Sequence, residues 1–533
     1  MAQVDNAIIL AAGMGSRFVP ITYNRPKGLV VVHGESLVER QIRQLLAVGI
    51  DEILIVTGYM AEAFAELEKK YDGIVRCLYN PHYKSQNNIS SLYLVRNHLK
   101  NSYILSSDNY YTQNIFRRIE ENSWYCAITD TKPRCEWGLE TDDQGRVIKV
   151  AKIAEANQPF MYGAVYFNHL FSAKFRQILE KAYENPDNHQ YLWEEILSRH
   201  LPELEIYIRM ESPETVYELE SFEELREFDA AYQQISGNSQ LALIARLFSV
   251  PESEISQIMP QKMGLTNDSF LFNVRGQRYV FRLPGKGSQQ FIDRRKEAFV
   301  YENLRAKDIT DRVIYFEPES GIKITAYEED SHILDFFRDK EQLKKAVAAL
   351  KQVHQSGIVV EEEFALTSCR RYEQLNQDNP EFFPGYYWAK AQMIELMQYL
   401  SEQGVKPTFC YCDFVMENIL CLKDGNVRLI DWEYSAMGEA MADLAVFITT
   451  ARLGETELKE LAELYFGGPL SRLQQIQVYV GMVIAAVTWG AWAKHKEYEG
   501  YYFQEPNYPE NYFAYAGAYI EKARALIGGS DEL

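Results

Sequence analysis

Between Ala7 and about Glu180 short apolar runs alternate with amphipathic stretches. Ala7–Leu10, Glu52–Val56, Val75–Leu78, Ser102–Ser106 and Tyr125–Thr129 predict strands, and Leu37–Val48 and Met60–Tyr71 predict helices between them. That alternation implies an α/β sheet with crossover helices, in which ligands bind at the carboxyl ends of the strands. Tyr191–His200 and Phe222–Ile235 add helices, and Ser236-Gly-Asn-Ser239 is the best linker signal in the chain. The pattern then changes. Phe270–Val274, the turn Arg275-Gly-Gln277 and Arg278–Leu283 predict a strand pair, followed by a charged helix over Asp293–Leu304. Helices dominate afterwards, Gln342–His354 and Tyr386–Glu402 among them, interrupted by strand-like Thr408–Tyr411, Ile419–Leu422 and Val427–Ile430. The expected division is a domain over residues 1–236 and another over 237–533.

Composition narrows the chemistry. At 533 residues, 47% of them hydrophobic, the chain can fill two or three cores. A formal charge of −20 argues against a nucleic acid or an anionic membrane surface as partner, though not against nucleotides carrying magnesium. Seven cysteines without a CxxC pair read as free thiols of a reducing cytoplasm. A strand beginning near residue 7 leaves no expected signal peptide. The uncharged run Val478–Ala493 falls short of the roughly 20 residues needed to span a bilayer, so a buried helix is expected and membrane insertion is not. No internal repeat or low-complexity segment stands out.

The first chemical motif is Leu10-Ala-Ala-Gly-Met-Gly-Ser-Arg17, continuing through Thr22 to Pro26-Lys-Gly28. Glycines directly after a buried strand let backbone N–H groups face a triphosphate, and Arg17 and Lys27 supply charge for phosphate oxygens and a departing pyrophosphate. The string resembles the nucleoside-triphosphate transferase family that activates sugar phosphates and phosphocholine. The resemblance implies a Rossmann-like nucleotidyltransferase domain that binds nucleotide through Ala11, Ala12, Gly13 and Gly15. It also implies Mg²⁺ on Asp108 of Ser106-Ser-Asp-Asn-Tyr110 and on a second carboxylate, best matched by Glu220 of Tyr217-Glu-Leu-Glu220, where the family motif has Asp. Asn80–Val95 and Glu136-Trp-Gly138 look like the bacterial CTP:phosphocholine cytidylyltransferases, which implies CTP as co-substrate and an aromatic wall for a trimethylammonium head. Trp137 is the candidate there, with Tyr191 and Trp193 as further possibilities.

The second motif is Tyr411-Cys-Asp-Phe-Val-Met-Glu-Asn418, followed by Leu429-Ile-Asp-Trp-Glu-Tyr434. A kinase needs a carboxylate near the substrate hydroxyl, an amide oxygen for one Mg²⁺ and a second carboxylate for Mg²⁺; Asp413, Asn418 and Asp431 have that spacing. Lys262-Met-Gly-Leu-Thr-Asn267 resembles the phosphate-covering loop of choline kinases and aminoglycoside phosphotransferases, implying ATP contacts at Gly264, Thr266 and Asn267. Arg282, with Glu297 on the next helix, stands where a kinase places its strand lysine and that lysine's partner. The fold implied is a two-lobed protein-kinase-like domain. Those families carry His where this chain has Tyr411. Asp431-Trp-Glu-Tyr-Ser435, Thr488-Trp-Gly-Ala-Trp492 and Asn511–Ala516 resemble choline kinase strings, so Tyr434, Trp489, Trp492 and Tyr515 are expected around a quaternary ammonium with Glu433 nearby. His354 reads as structural.

The two resemblances imply a bifunctional transferase acting on small molecules. ATP would phosphorylate choline, with Asp413 accepting the hydroxyl proton, and CTP would then transfer its cytidylyl group to phosphocholine, with Arg17 and Lys27 stabilising charge, to give CDP-choline. Two alternatives stay open: the same steps on ethanolamine or another amino alcohol, and a protein in which one domain has become regulatory.

Overall fold

The computed structural model describes residues 1–261, 267–285, 288, 292–378, 385–501, 503 and 508–529. The chain forms two compact units, Met1–Pro260 with Phe270–Gly276, and Gln261–Ser269 with Gln277–Leu533. Both units are mixed α/β, with the Rossmann-like and kinase-like layouts that their sequence patterns imply. The expected linker at Ser236–Ser239 lies inside the first unit, where Asn238 caps the helix Ser239–Phe248 and donates a side-chain hydrogen bond to the carbonyl of Pro20.

In the first unit the strand Asn6–Ala11 sits centrally. It pairs in parallel with Ile53–Thr57 on one side, beyond which lies Val75–Tyr79, and with Ser102–Ser106 on the other. Phe160–Phe167 continues the sheet antiparallel to Ser102–Ser106 and also pairs with Trp124–Ile128. The central strands read as continuous apolar runs because helices cover both faces, and Ile8, Ile9, Ile53 and Ile55 are fully buried. The helix Leu37–Ala47 is capped by Ser36 and buries Leu37, Val38, Ile42 and Leu45. Met60–Tyr71, expected as one helix, divides into a 3₁₀ turn at Ala61–Phe64 and the short helix Ala65–Lys70. Register settles the site: Leu10 lies beside Ser106, so the loops after both strands open at the same edge of the sheet.

In the second unit Gln277–Pro284 pairs antiparallel with Lys323–Ala326, which pairs with Val313–Phe316. The helix Arg294–Leu304 follows the first of these strands, with Asp293 as its N-cap. A helical core follows, penetrated by the small sheets that hold Thr408–Cys410, Ile419–Cys421 and Val427–Leu429. The apolar run near residue 480 is part of the long helix Arg472–Tyr498. That helix meets the length and composition of a membrane span, yet 83% of its apolar window is buried inside the unit. All seven cysteines are unbridged.

Candidate active sites

In the first unit a cavity of about 460 Å³ opens where the loops after Asn6–Ala11 and Ser102–Ser106 converge. Ala12, Gly13, Gly15, Arg17, Lys27, Asp108 and Glu220 all line it, so seven sequence candidates meet in one place. Ala11 is the buried last residue of the strand and does not line the cavity. Gly15 takes φ +59°, and a Cβ there would meet Lys27 Cβ and Thr22 Cγ2 at 3.0 Å, so the turn requires glycine. The Thr22 hydroxyl donates to the Gly15 carbonyl at 3.1 Å and fixes the same turn.

Lys27 Nζ lies 2.8 Å from Asp108 Oδ2, both largely enclosed. Burial works against ionisation of Asp108, but the Lys27 charge and hydrogen bond outweigh it and hold the carboxyl below its usual range. Asp108 Oδ1 is buried without a hydrogen-bond partner, which suits it to a hard cation. Arg17 Nη1 pairs with Glu220 Oε2 at 2.7 Å in a more exposed position, the arginine side chain being 66% accessible.

Sequence reasoning missed Glu218. Val216–Glu218 pairs antiparallel with Asn109–Tyr111, Glu218 opposite Asn109, and this register brings its carboxylate next to Asp108. Burial, then the Asp108 charge, push Glu218 well above the ordinary carboxylate range, with Lys27 opposing. Glu218 does not line the cavity, whereas Glu220 does, so Asp108 with its orphaned oxygen and Glu220 are the carboxylates that face the space where a Mg²⁺ ion could sit. Glu220 lies just past the end of the strand Val216–Glu218, so strand alternation does not place it with Glu218. The pairing that sets Glu218 beside Asp108 is invisible in the string.

The aromatic wall also differs from expectation. Trp137 and Tyr191 are half-buried against the core and do not line the cavity, whereas Tyr83, Tyr125 and Trp193 do. Glu194 lines it as well.

In the second unit Asn418 Nδ2 donates to Asp413 Oδ2 at 2.8 Å and to the Asp413 carbonyl at 3.2 Å, which fixes the loop carboxylate. Arg282 bridges Glu297 at 2.7 Å and Asp431 at 2.9 Å. Arg294, which sequence reasoning passed over, pairs with Glu297 and Glu433, each at 2.9 Å, and donates to Asn267 Oδ1 at 3.1 Å. Glu433 therefore belongs to a buried charge network, where it also accepts from Asn267 Nδ2. Glu297 is held down to about 2, because the Arg282 and Lys323 charges overcome its burial. Asp431 is raised to about 7 by burial and by Glu433. Burial followed by the Asp431 and Glu433 charges lifts Asp413 well above its ordinary range. Crowded carboxylates of this kind suit a divalent cation, which Asp431 and Asn418 could hold. Gly264 and Thr266 lie outside the described residues.

Tyr411 stands where related kinases have His. Its hydroxyl donates to the carbonyl of Ile430, the residue before Asp431, tying the two chemical strings together. The N–H groups of Tyr411 and Cys412 donate to the two oxygens of Asp443 at 2.8 and 2.7 Å. Asp443 in turn meets His354 Nε2 at 2.9 Å, and His354 Nδ1 meets the Tyr465 hydroxyl at 2.7 Å. Cys412 and Asp431 both take left-handed backbone conformations, φ +67° and +63°, which these buried bonds hold in place.

Trp489 and Trp492 stand edge to face with ring centroids 5.5 Å apart, and Tyr434 meets Trp489 at 5.2 Å. The Nε1 atoms of both tryptophans are buried without a partner among the described residues. Tyr515 is partly buried on the helix Tyr508–Gly528 and packs against the same core.

Comparison with known proteins finds a different family for each part of the chain. A sequence model of the nucleotidyl transferase family matches residues 6–212, and one of the choline/ethanolamine kinase family matches residues 258–457. The choline-phosphate cytidylyltransferase of Streptococcus pneumoniae is 34% identical over 42% of this chain and 96% of its own length. The 2-aminoethylphosphonate cytidylyltransferase of Lancefieldella rimae is 30% identical over 43% of this chain and 94% of its own. The crystal structure of choline kinase LicA from Streptococcus pneumoniae is 25% identical, with a TM-score of 0.46, over 54% of this chain and all of that one.

Proposed function

The chain belongs to the nucleotidyl transferase family in its N-terminal part and to the choline/ethanolamine kinase family in its C-terminal part, and from that premise we propose that it makes CDP-choline in two consecutive cytoplasmic steps. The observation that carries the reading is that one polypeptide holds both residue sets, so the product of one site is the substrate of the other. The proposed functional division is at 236/237, short of the end of the first compact unit at Pro260.

In the kinase step the choline hydroxyl oxygen attacks the γ-phosphorus of ATP, its proton passes to the Asp413 carboxylate, and ADP leaves. The raised proton affinity of Asp413 suits a group that takes that proton, and its bond to Asn418 keeps it aimed. The Arg282–Glu297 pair orients the ATP phosphates, while Trp489, Trp492, Tyr434 and Tyr515 offer π faces to a cation that has no N–H to donate. In the transfer step a phosphocholine oxygen attacks the α-phosphorus of CTP and pyrophosphate leaves. Arg17 and Lys27 stabilise the developing charge, and the loop at Gly13 and Gly15 presents backbone N–H groups to the triphosphate. Asp108 and Glu220 in the first site, and Asn418 and Asp431 in the second, would hold Mg²⁺, which neutralises phosphate charge when bound. Glu220 also pairs with Arg17.

A second reading, the same steps on a primary ammonium, is favoured by the 30% identity to an aminoethylphosphonate enzyme. Purified protein with Mg²⁺, ATP, CTP and equal choline and ethanolamine separates the two by mass spectrometry. Dominant CDP-choline supports the first reading. CDP-ethanolamine replaces it with the second, and phosphocholine that never becomes CDP-choline confines activity to the kinase.

A further inference from the structure

The helix Lys340–His354 begins with Asp339 at its N-cap, yet the Asp339 side chain makes no capping hydrogen bond. Asp293, at the same place before Arg294–Leu304, accepts from the N–H groups of Arg295 and Lys296. Asp339 turns elsewhere. Its Oδ2 accepts from the backbone N–H of Asp335 at 2.8 Å and lies 3.1 Å from His332 Nε2 and 4.0 Å from Cys421 Sγ. His332 and Cys421 are direct partners across the antiparallel strands His332–Ile333 and Ile419–Cys421, so their side chains leave the sheet on one face. Imidazole nitrogen, carboxylate oxygen and thiol sulfur all lie within 4.8 Å of one another. Zinc bonds of about 2.0–2.3 Å in a tetrahedron put ligand atoms about 3.3–3.6 Å apart, so modest side-chain rotation closes the three on one ion. Cys421 is buried and His332 is exposed, which gives the ion a way in and leaves a fourth position for water.

We propose that His332, Asp339 and Cys421 form a site for a borderline-soft divalent ion, Zn²⁺ or a chemically similar transition metal. Thiolate and imidazole select against Mg²⁺, which prefers oxygen ligands, so this site does not compete with the Mg²⁺ positions at Asp108 and Asp431. None of the three residues belongs to either candidate active site. On binding, the Cys421 thiol gives its proton to solvent and the thiolate takes the ion. Cys421 ends the strand that directly follows Asn418, and the ion ties that strand to His332 and to the start of the helix Lys340–His354. It braces the strand into which the catalytic loop runs.

The test titrates the reduced native protein, in excess Mg²⁺, with Co²⁺ and then Zn²⁺ while the thiolate-to-cobalt charge-transfer band is followed. One equivalent of Co²⁺ should raise the band and Zn²⁺ should abolish it. Cys421→Ser removes the band. His332→Ala, a change at an exposed side chain, weakens Zn²⁺ binding by at least about 10- to 100-fold, the loss seen even for residues that merely orient metal ligands. Zn²⁺ raises the melting temperature of the native protein and not that of His332→Ala. A band that survives Cys421→Ser, an unchanged Zn²⁺ affinity in His332→Ala, or no band at all would overturn the site. So would several equivalents held weakly and alike by the native protein and both variants. Should Cys421→Ser fail to fold, the His332→Ala affinity decides alone.

Discussion

The two sites handle charge in opposite ways. In the first unit the ion pairs stand at the wall of an existing cavity. Arg17 and Glu220 meet solvent, Lys27 and Asp108 sit deeper, and each pair can open toward a ligand without disturbing a core. In the second unit Arg282, Arg294, Glu297, Glu433 and Asp431 form one continuous network, most of it buried, and Asp413 is raised by the carboxylates around it. One arrangement leaves charge available to substrate. The other uses charge to hold a strained catalytic loop and a metal strand in register, so removing a member costs folding as well as chemistry.

Variants sharpen that contrast. Asp413→Asn lowers ATP-dependent phosphorylation by about 10³-fold, within the range for loss of a positioned base, and leaves transfer to added phosphocholine intact. Asp108→Asn does the reverse, and coupled assays of each step read both. Arg294→Met removes the arginine paired with buried Glu433 and one of the two on buried Glu297, and destabilises the second unit by about 3–5 kcal/mol in denaturant titration. Arg17→Met removes an exposed pair, so its stability changes by less than about 1 kcal/mol while cytidylyl transfer falls by about 10²-fold. A stability loss for Arg17→Met as large as that for Arg294→Met would erase the distinction between the sites.

The smallest expected effect is in pH dependence. Glu439 caps no helix with its side chain and is raised to about 7 by burial and by Glu363. Its folded proton affinity exceeds the unfolded one. The unit is therefore most stable below about pH 4.5 as far as this group is concerned, and loses that contribution as pH rises through about 7. Glu439→Gln should raise the melting temperature at pH 8, with a gain that shrinks toward pH 5. A gain independent of pH would show that the carboxyl is not buried in this way.

Local strings carried much of both sites. Gly13-Met-Gly15 after a strand, Lys27 after a proline, and Asp413, Asn418 and Asp431 at fixed spacing are short-range signals, because one turn of backbone sets the geometry each needs. Glu218, Glu194 and Arg294 were illegible for a shared reason: their surroundings come from pairing across the fold. Glu218 gains its neighbour through the register with Asn109–Tyr111, Glu194 through a hydrogen bond from Asn88, and Arg294 through partners 3 and 139 positions away in sequence. Trp137, with suitable chemistry, lies just before the strand Gly138–Thr141, half-buried against the core and outside the cavity lining. Helix limits were legible where caps were strong, as at Ser36 and Asp293, and less so over Met60–Tyr71, where a 3₁₀ turn interrupts the helix.

The central claim, two consecutive transfers on one chain, is tested most directly by following choline, ATP and CTP with Mg²⁺ over time by mass spectrometry, for the native protein and for Asp413→Asn. The account predicts that phosphocholine appears first and CDP-choline follows in the native protein. Asp413→Asn should yield CDP-choline only when phosphocholine is supplied. CDP-choline made from choline by Asp413→Asn, or phosphocholine accumulating in the native protein with CTP unconsumed, would contradict it.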